Sequence, residues 1–241
     1  MAKGYNSQNC MPNRRIEEAA EALLGKYQLK SKTELTSPIN LELIINELDD
    51  FYVDVLDLKS KYGQDTIGAI FFENGENCIA VDNALDPKKY PEMRGRYNFT
   101  IAHECGHWVL HAPTKLEERR AAKLFDIGYE PLVLCRSYAG SSKPEIERQA
   151  DRFASYMLMP TELVLREWRR LFPDQCGPLN VHDELQLKRE ALGLTEGKGV
   201  VLCDAAREMA RIFDVSIWPM QIRLSEIKLI NTEIDNQIQL F

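Results

Sequence analysis

The chain has 241 residues, enough for a substantial core in one large domain or two small ones. Thirty basic against 37 acidic side chains leave a net charge of -7, which argues against a dedicated nucleic-acid binder. No apolar run approaches the length of a membrane helix, Met1 to Arg15 has no signal-peptide core, and the six cysteines are scattered with no CxxC pair, so a cytoplasmic protein with reduced thiols is expected.

Residues 1–13 are polar and read as a flexible N-terminus. Ile16, Ala19, Ala20, Leu23, Leu24 and Tyr27 recur at helical spacing and predict a helix over 14–29. A second helix is expected from near Pro38, with Leu41, Ile44, Ile45 and Leu48 on its apolar side. Residues 52–58 read as a strand. The β-rich runs 68–72 and 77–81 flank Asn74-Gly75, a strong hairpin signal. Residues 86–95 form a loop. A helix then spans about 99–111, with Pro113 as its stop. Residues 116–125 suit a helix, Gly140-Ser141-Ser142 a loop, and 144–159 another helix; Pro160-Thr161 opens a further one to Phe172. The stretch 173–199 reads as a loop region with room for one short helix. Two apolar-periodic helices, 202–213 and 217–229, are joined by Asp214-Val215-Ser216 as a helix-turn-helix-like pair within 200–230, and 231–241 is a tail.

Chemistry concentrates at His103-Glu104-Cys105-Gly106-His107, an HExxH motif. On a helix the two histidines share a face and can grip one ion, with Glu104 beside it as base toward a bound water. A catalytic zinc site needs three protein ligands and an open position. His111 falls four residues after His107, where the HExxHxxGxxH pattern would need six, so the third ligand is sought on a later helix. Glu147 fits best. Asp151 lies one turn on along the same face, in the ExxxD arrangement of gluzincins, where the aspartate fixes a ligand histidine. Ala150 and Ala154 are small enough for a close helix approach. At about 100° per residue, Ile101, Cys105, Trp108 and Ala112 form one apolar stripe, opposite His103 and His107. That stripe is expected to pack on the sheet, making Cys105 a core thiol. His111 lies near the ligand side, either as a supporting group or as a buried, satisfied histidine.

The blocks Phe99-Thr100-Ile101-Ala102-His103-Glu104-Cys105-Gly106-His107 with Leu110-His111, and Ile146-Glu147-Arg148-Gln149-Ala150-Asp151-Arg152-Phe153-Ala154 running on to Met157-Leu158-Met159-Pro160, resemble the ImmA/IrrE family of metallo-endopeptidases. A weaker block is Phe213-Asp214-Val215-Ser216 with Ile222-Arg223-Leu224, and the likeness extends over about residues 14–230. The chain departs from the family in Cys105 within the motif, in Asn98 where arginine is common, and in the long span from His107 to Glu147, which makes 113–143 a candidate insertion or lid. The resemblance implies an α+β fold: a zincin-like domain over 14–172, with a small, mostly antiparallel sheet on the motif helix, and a helical C-terminal part. It also implies a cytosolic protease that cleaves a helix-turn-helix repressor encoded nearby, relieving repression of stress or mobile-element genes.

The expected chemistry is metal-assisted peptide hydrolysis, with zinc, or manganese, held by His103, His107 and Glu147 and with Glu104 moving the proton. Tyr97, His111, Tyr156 and His182 are candidates for stabilising the oxyanion. Substrate is expected to add as a strand along Gly68, Ala69, Ile70 and Phe71, taken as a free sheet edge. Three rival readings stay open: a DNA-binding module at the C-terminal pair, a metal-containing regulator without proteolysis, and a non-peptidase zinc hydrolase. Against the first, Arg207, Arg211, Arg223 and Lys228 are balanced by Asp204, Glu208, Asp214 and Glu226.

Overall fold

The computed structural model describes residues 11–48, 52–73, 76–122, 133–136, 143–194 and 199–232, and the fold is α+β. The chain divides into two compact units, Met1–Glu34 with Asn40–Met157, and Leu35–Ile39 with Leu158–Phe241. The division falls inside the last turn of a helix.

In the first unit, α1 (Asn13–Ser31) buries Ile16, Ala20, Leu24 and Tyr27, the stripe its periodicity predicts. Next comes α2 (Leu41–Glu47), capped by Asn40, whose side chain accepts from Leu43 N. The predicted strand over 52–58 is shorter. It ends as β1 (Tyr52–Leu56), because Asp57 caps a short helix, α3 (Leu58–Tyr62), by accepting from Ser60 N. Asp82, fully buried, takes the N–H groups of Leu58 and Lys59 as well. The hairpin runs appear as β2 (Thr66–Glu73) and β3 (Glu76–Asp82), paired antiparallel with Ile70 opposite Ile79; Asn74-Gly75 lies outside the described residues.

Sheet order is β1-β3-β2-β4, where β4 is Val133–Arg136. Two of the three pairings are antiparallel, while β1 and β3 run parallel. One face carries Ala69, Phe71, Cys78 and Ala80 packed with Leu58 of α3. Since strand side chains alternate, Gly68, Ile70, Ile79 and Val81 share the other face. Both faces of β2 and β3 are therefore buried, which is why their sequences read as continuous apolar runs.

The motif helix is longer than expected: α4 spans Arg94–Ala122 and runs through Pro113. A proline removes only the bond from its own nitrogen to the carbonyl four residues back, and the turns on either side continue. The helix expected over 116–125 is the end of α4. Of the candidate insertion 113–143, residues 123–132 and 137–142, with Gly140-Ser141-Ser142, lie outside the described residues. Last in this unit is α5 (Glu145–Leu158).

The second unit holds α6 (Thr161–Leu171), α7 (His182–Ala191), α8 (Asp204–Phe213) and α9 (Ile217–Glu226). The stretch expected as loop with room for one short helix contains α7 as that helix, and also β5 (Leu179–Asn180), which pairs parallel with β6 (Ile230–Asn231). α8 ends on Asp214, whose φ of 51° turns the chain into α9. Arg223, 2 % exposed, donates to Met159 O at 3.1 Å and Thr161 Oγ1 at 2.6 Å, so it holds the break between α5 and α6. Among the described residues, no helix is long and apolar enough to cross a membrane.

Candidate metal centre

Around α4, at about 100° per residue, Gly106 comes first, then His103 and His107, then Thr100 and Glu104. The neighbours follow that order. A Cβ on Gly106 would lie 3.0 Å from Phe153 Cβ and 3.1 Å from Ala150 Cα, both on α5. A Cβ on Gly68 of β2 would lie 2.4 Å from Glu104 Oε1 and 2.7 Å from Thr100 Cγ2. The histidines thus occupy the face of α4 between α5 and the sheet. Thr100 and Glu104 of α4 lie against Gly68 of β2, and Ile101 and Cys105, of the stripe inferred from apolar periodicity, are buried beside them on the helix. Amphipathicity marks what is buried, not which neighbour buries it.

His103, His107 and Glu147 come together as one buried cluster whose ligand atoms all lie within 4.8 Å of one another. His103 Nε2 stands 3.0 Å from His107 Nε2 and 3.2 Å from Glu147 Oε2, and His107 Nε2 stands 3.4 Å from Glu147 Oε1. Zinc binds such atoms at about 2.0–2.1 Å, so the edges of its tetrahedron are about 3.3–3.4 Å. The two ring nitrogens and the carboxylate, which turns Oε2 to His103 and Oε1 to His107, lie 3.0–3.4 Å apart, near that spacing.

The histidines are also held from behind. Asp151 Oδ1 lies 3.0 Å from His103 Nδ1, and Lys143 pairs with the other oxygen of the same carboxylate. His107 Nδ1 faces His111 Nδ1 at 3.2 Å, and His111 Nε2 faces Gln149 Oε1 at 3.0 Å. Lys143 and Gln149 went unnoticed in the sequence. Gln149 meets His111 only through the crossing of α4 and α5, and Lys143 reaches Asp151 from just before α5.

Burial of His107, with the charge of His103 added, pulls its pKa down to about 4 against the partial opposition of Glu147. Burial also disfavours ionised Glu147, but the polar contacts and charge of His103 and His107 beside it outweigh that, and its carboxyl sits well below the usual carboxylate range. The neutral imidazole and the ionised carboxylate are the forms that bind a metal. A folded-state pKa below the ordinary 6.5 means that the unfolded chain binds more protons between about 6.5 and 4. Stability of the chelator-treated protein should therefore fall as pH drops through that window. We expect the Tm to fall by roughly 5–10 °C more in the wild type than in His107→Asn, measured by thermal scans across the window.

Glu104 is fully buried against the backbone of Gly68. That closeness makes Gly68→Ala informative: its methyl must displace the carboxylate or prise β2 from α4. The expected result is a loss of roughly 1–3 kcal/mol in stability. Turnover should fall further than the stability loss explains. A variant matching the wild type in Tm and turnover would contradict the close approach.

Other expectations resolve differently. Gly68, Ala69, Ile70 and Phe71 are not at a free edge. β4 pairs antiparallel with β2, Gly68 opposite Cys135 and Ile70 opposite Val133, so both sides of β2 are occupied. A four-residue strand in a long polar stretch carries too weak a periodic signal to be recognised. Cys105 is a buried free thiol, the core residue expected of it, and burial and the neighbouring charge of Glu104 push it well above its ordinary pKa. Tyr97 donates to Glu42 Oε1 at 2.6 Å and is committed to α2. Tyr156 is buried on α5, and His182 opens α7 in the second unit.

The Peptidase_M78 family model, described as an IrrE N-terminal-like domain, matches residues 52–194, more than half of the chain. That span contains His103, Glu104, His107, Glu147 and their supporting partners. No curated protein matches the chain.

Proposed function

Because the chain belongs to the Peptidase_M78 family, we propose that it is a zinc-dependent endopeptidase acting on a protein substrate, a helix-turn-helix repressor encoded nearby. The observation that carries the metal part of this reading is the buried His103, His107 and Glu147 cluster, whose ligand atoms all lie within 4.8 Å of one another.

In this reading His103, His107 and Glu147 hold the ion, manganese being acceptable to the same donors. Bound there, the metal supplies Lewis-acid polarisation of the scissile carbonyl and lowers the pKa of its water. The remaining work falls to the chain. Glu104 accepts the proton of the attacking water and returns it to the leaving amine. Packing against Gly68 limits how far that carboxylate can swing, which keeps the base in a fixed place. Asp151 holds the His103 ring by its Nδ1, leaving Nε2 for the metal.

The repressor as substrate comes from the family resemblance and is tested directly. Co-incubation with the neighbouring repressor should give defined fragments, and chelator should abolish them. Intact repressor at full metal occupancy would favour a regulator without proteolysis. For the α8–α9 pair we propose a structural or partner-docking role. Arg223, one of its few cations, is buried on backbone and Thr161, and Arg211 pairs with Glu208 at 2.7 Å. Little positive charge is left for phosphates.

A further inference from the structure

The two histidine ligands are supported in different ways. His103 has the carboxylate of Asp151 directly behind it, and a carboxylate oxygen that accepts from Nδ1–H leaves Nε2 with a lone pair. Behind His107 stands another imidazole. A contact between Nδ1 of His107 and Nδ1 of His111 can form in either sense, and in one of them His107 keeps its proton on Nε2, where a metal cannot bind.

The far end of the chain decides. His111 Nε2 lies 3.0 Å from Gln149 Oε1, and an amide oxygen only accepts. Neutral His111 must then carry its proton on Nε2 and present a lone pair at Nδ1. His107 must donate to it from Nδ1, and its own Nε2 is left with a lone pair facing His103 and Glu147. Both ends of the relay are buried, His107 fully and Gln149 to 3 % exposure, with half-buried His111 between them.

We infer that Gln149 is a positioning residue which, acting through His111, sets His107 in the tautomer a metal ligand requires. Gln149 touches neither ion nor substrate. It does for His107 at one remove what Asp151 does for His103. The inference rests on the cluster being a metal site, and the experiment separates the two claims.

Gln149→Met keeps length and removes the acceptor, while Gln149→Glu keeps an acceptor that cannot donate. Zinc affinity is measured by competition with a chromophoric chelator, and the His107 tautomer by ¹⁵N NMR of the chelator-treated protein. Gln149→Met should weaken zinc binding by about 10–100-fold and mix the His107 tautomers. Gln149→Glu should hold zinc at least as tightly as the wild type and keep the proton on Nδ1. Wild-type affinity and tautomer in Gln149→Met would overturn the inference. Equal losses in both variants would also overturn it, since packing rather than the acceptor would then matter. If Gln149→Met fails to fold, Gln149→Asn, which withdraws the carbonyl by one methylene, provides the same comparison. A wild type that takes up no zinc would end the metal reading, yet the NMR comparison would still decide the role of Gln149.

Discussion

Glu104→Gln should leave one zinc per chain in place while lowering peptide hydrolysis by about 10²–10⁴-fold. The substitution is nearly isosteric, so contact with the Gly68 backbone and Thr100 is preserved. None of the clustered ligand atoms belongs to residue 104, so metal stoichiometry should not change. What is lost is a base able to take a proton. Stability gives an independent control. Glu104 is fully buried, and an ionised carboxylate is costly to bury, so the amide should leave the Tm of the chelator-treated protein equal or higher. A mutant that is inactive, zinc-loaded and no less stable fits a base and not a structural residue. Retained turnover in Glu104→Gln would remove it from the proposed chemistry.

Glu147→Ala should act on the metal itself. It removes the only carboxylate in the described cluster and leaves two imidazoles with ring centroids 4.7 Å apart. Two neutral nitrogens on one helix cannot supply the charge or the third corner of the site. Zinc affinity should fall by more than the roughly 10–100-fold typical of losing a supporting partner, and hydrolysis should vanish at micromolar zinc. Equilibrium dialysis followed by metal analysis reads this directly. One tightly held zinc in Glu147→Ala would show that the ion sits elsewhere. In contrast to Glu104→Gln, the failure here should be partly rescued by excess metal.

How far the site was legible varies by residue. The spacing of His103 and His107 requires a shared helix face, and Glu147 with Asp151 requires a second one, because helical periodicity is a local property of the backbone. The structure brings all four together. Gly106 was visible as a small residue in the motif, but its reason is the 3.1 Å that a Cβ would leave to Ala150 Cα. Gly68 carried no such signal. It lies in an apolar run, and only the packing of β2 on α4 shows that a side chain there would strike Glu104. The edge expected at residues 68–71 failed for a related reason, since β4 contributes only four residues and its pairing with β2 is a long-range event. Pro113 does not stop α4, because one missing hydrogen bond does not end a helix that continues on both sides.

By itself the sequence determined the donors: which residues can hold an ion, which can move a proton, and which helices carry them. These follow from side-chain chemistry and from the 3.6-residue turn, both set within a few residues. The tertiary structure alone decided what surrounds them: β4 against β2, the Gly68 backbone against Glu104, and Gln149 behind His111. Those contacts join residues tens of positions apart, and their geometry is fixed by how helices and strands pack, which no local pattern encodes.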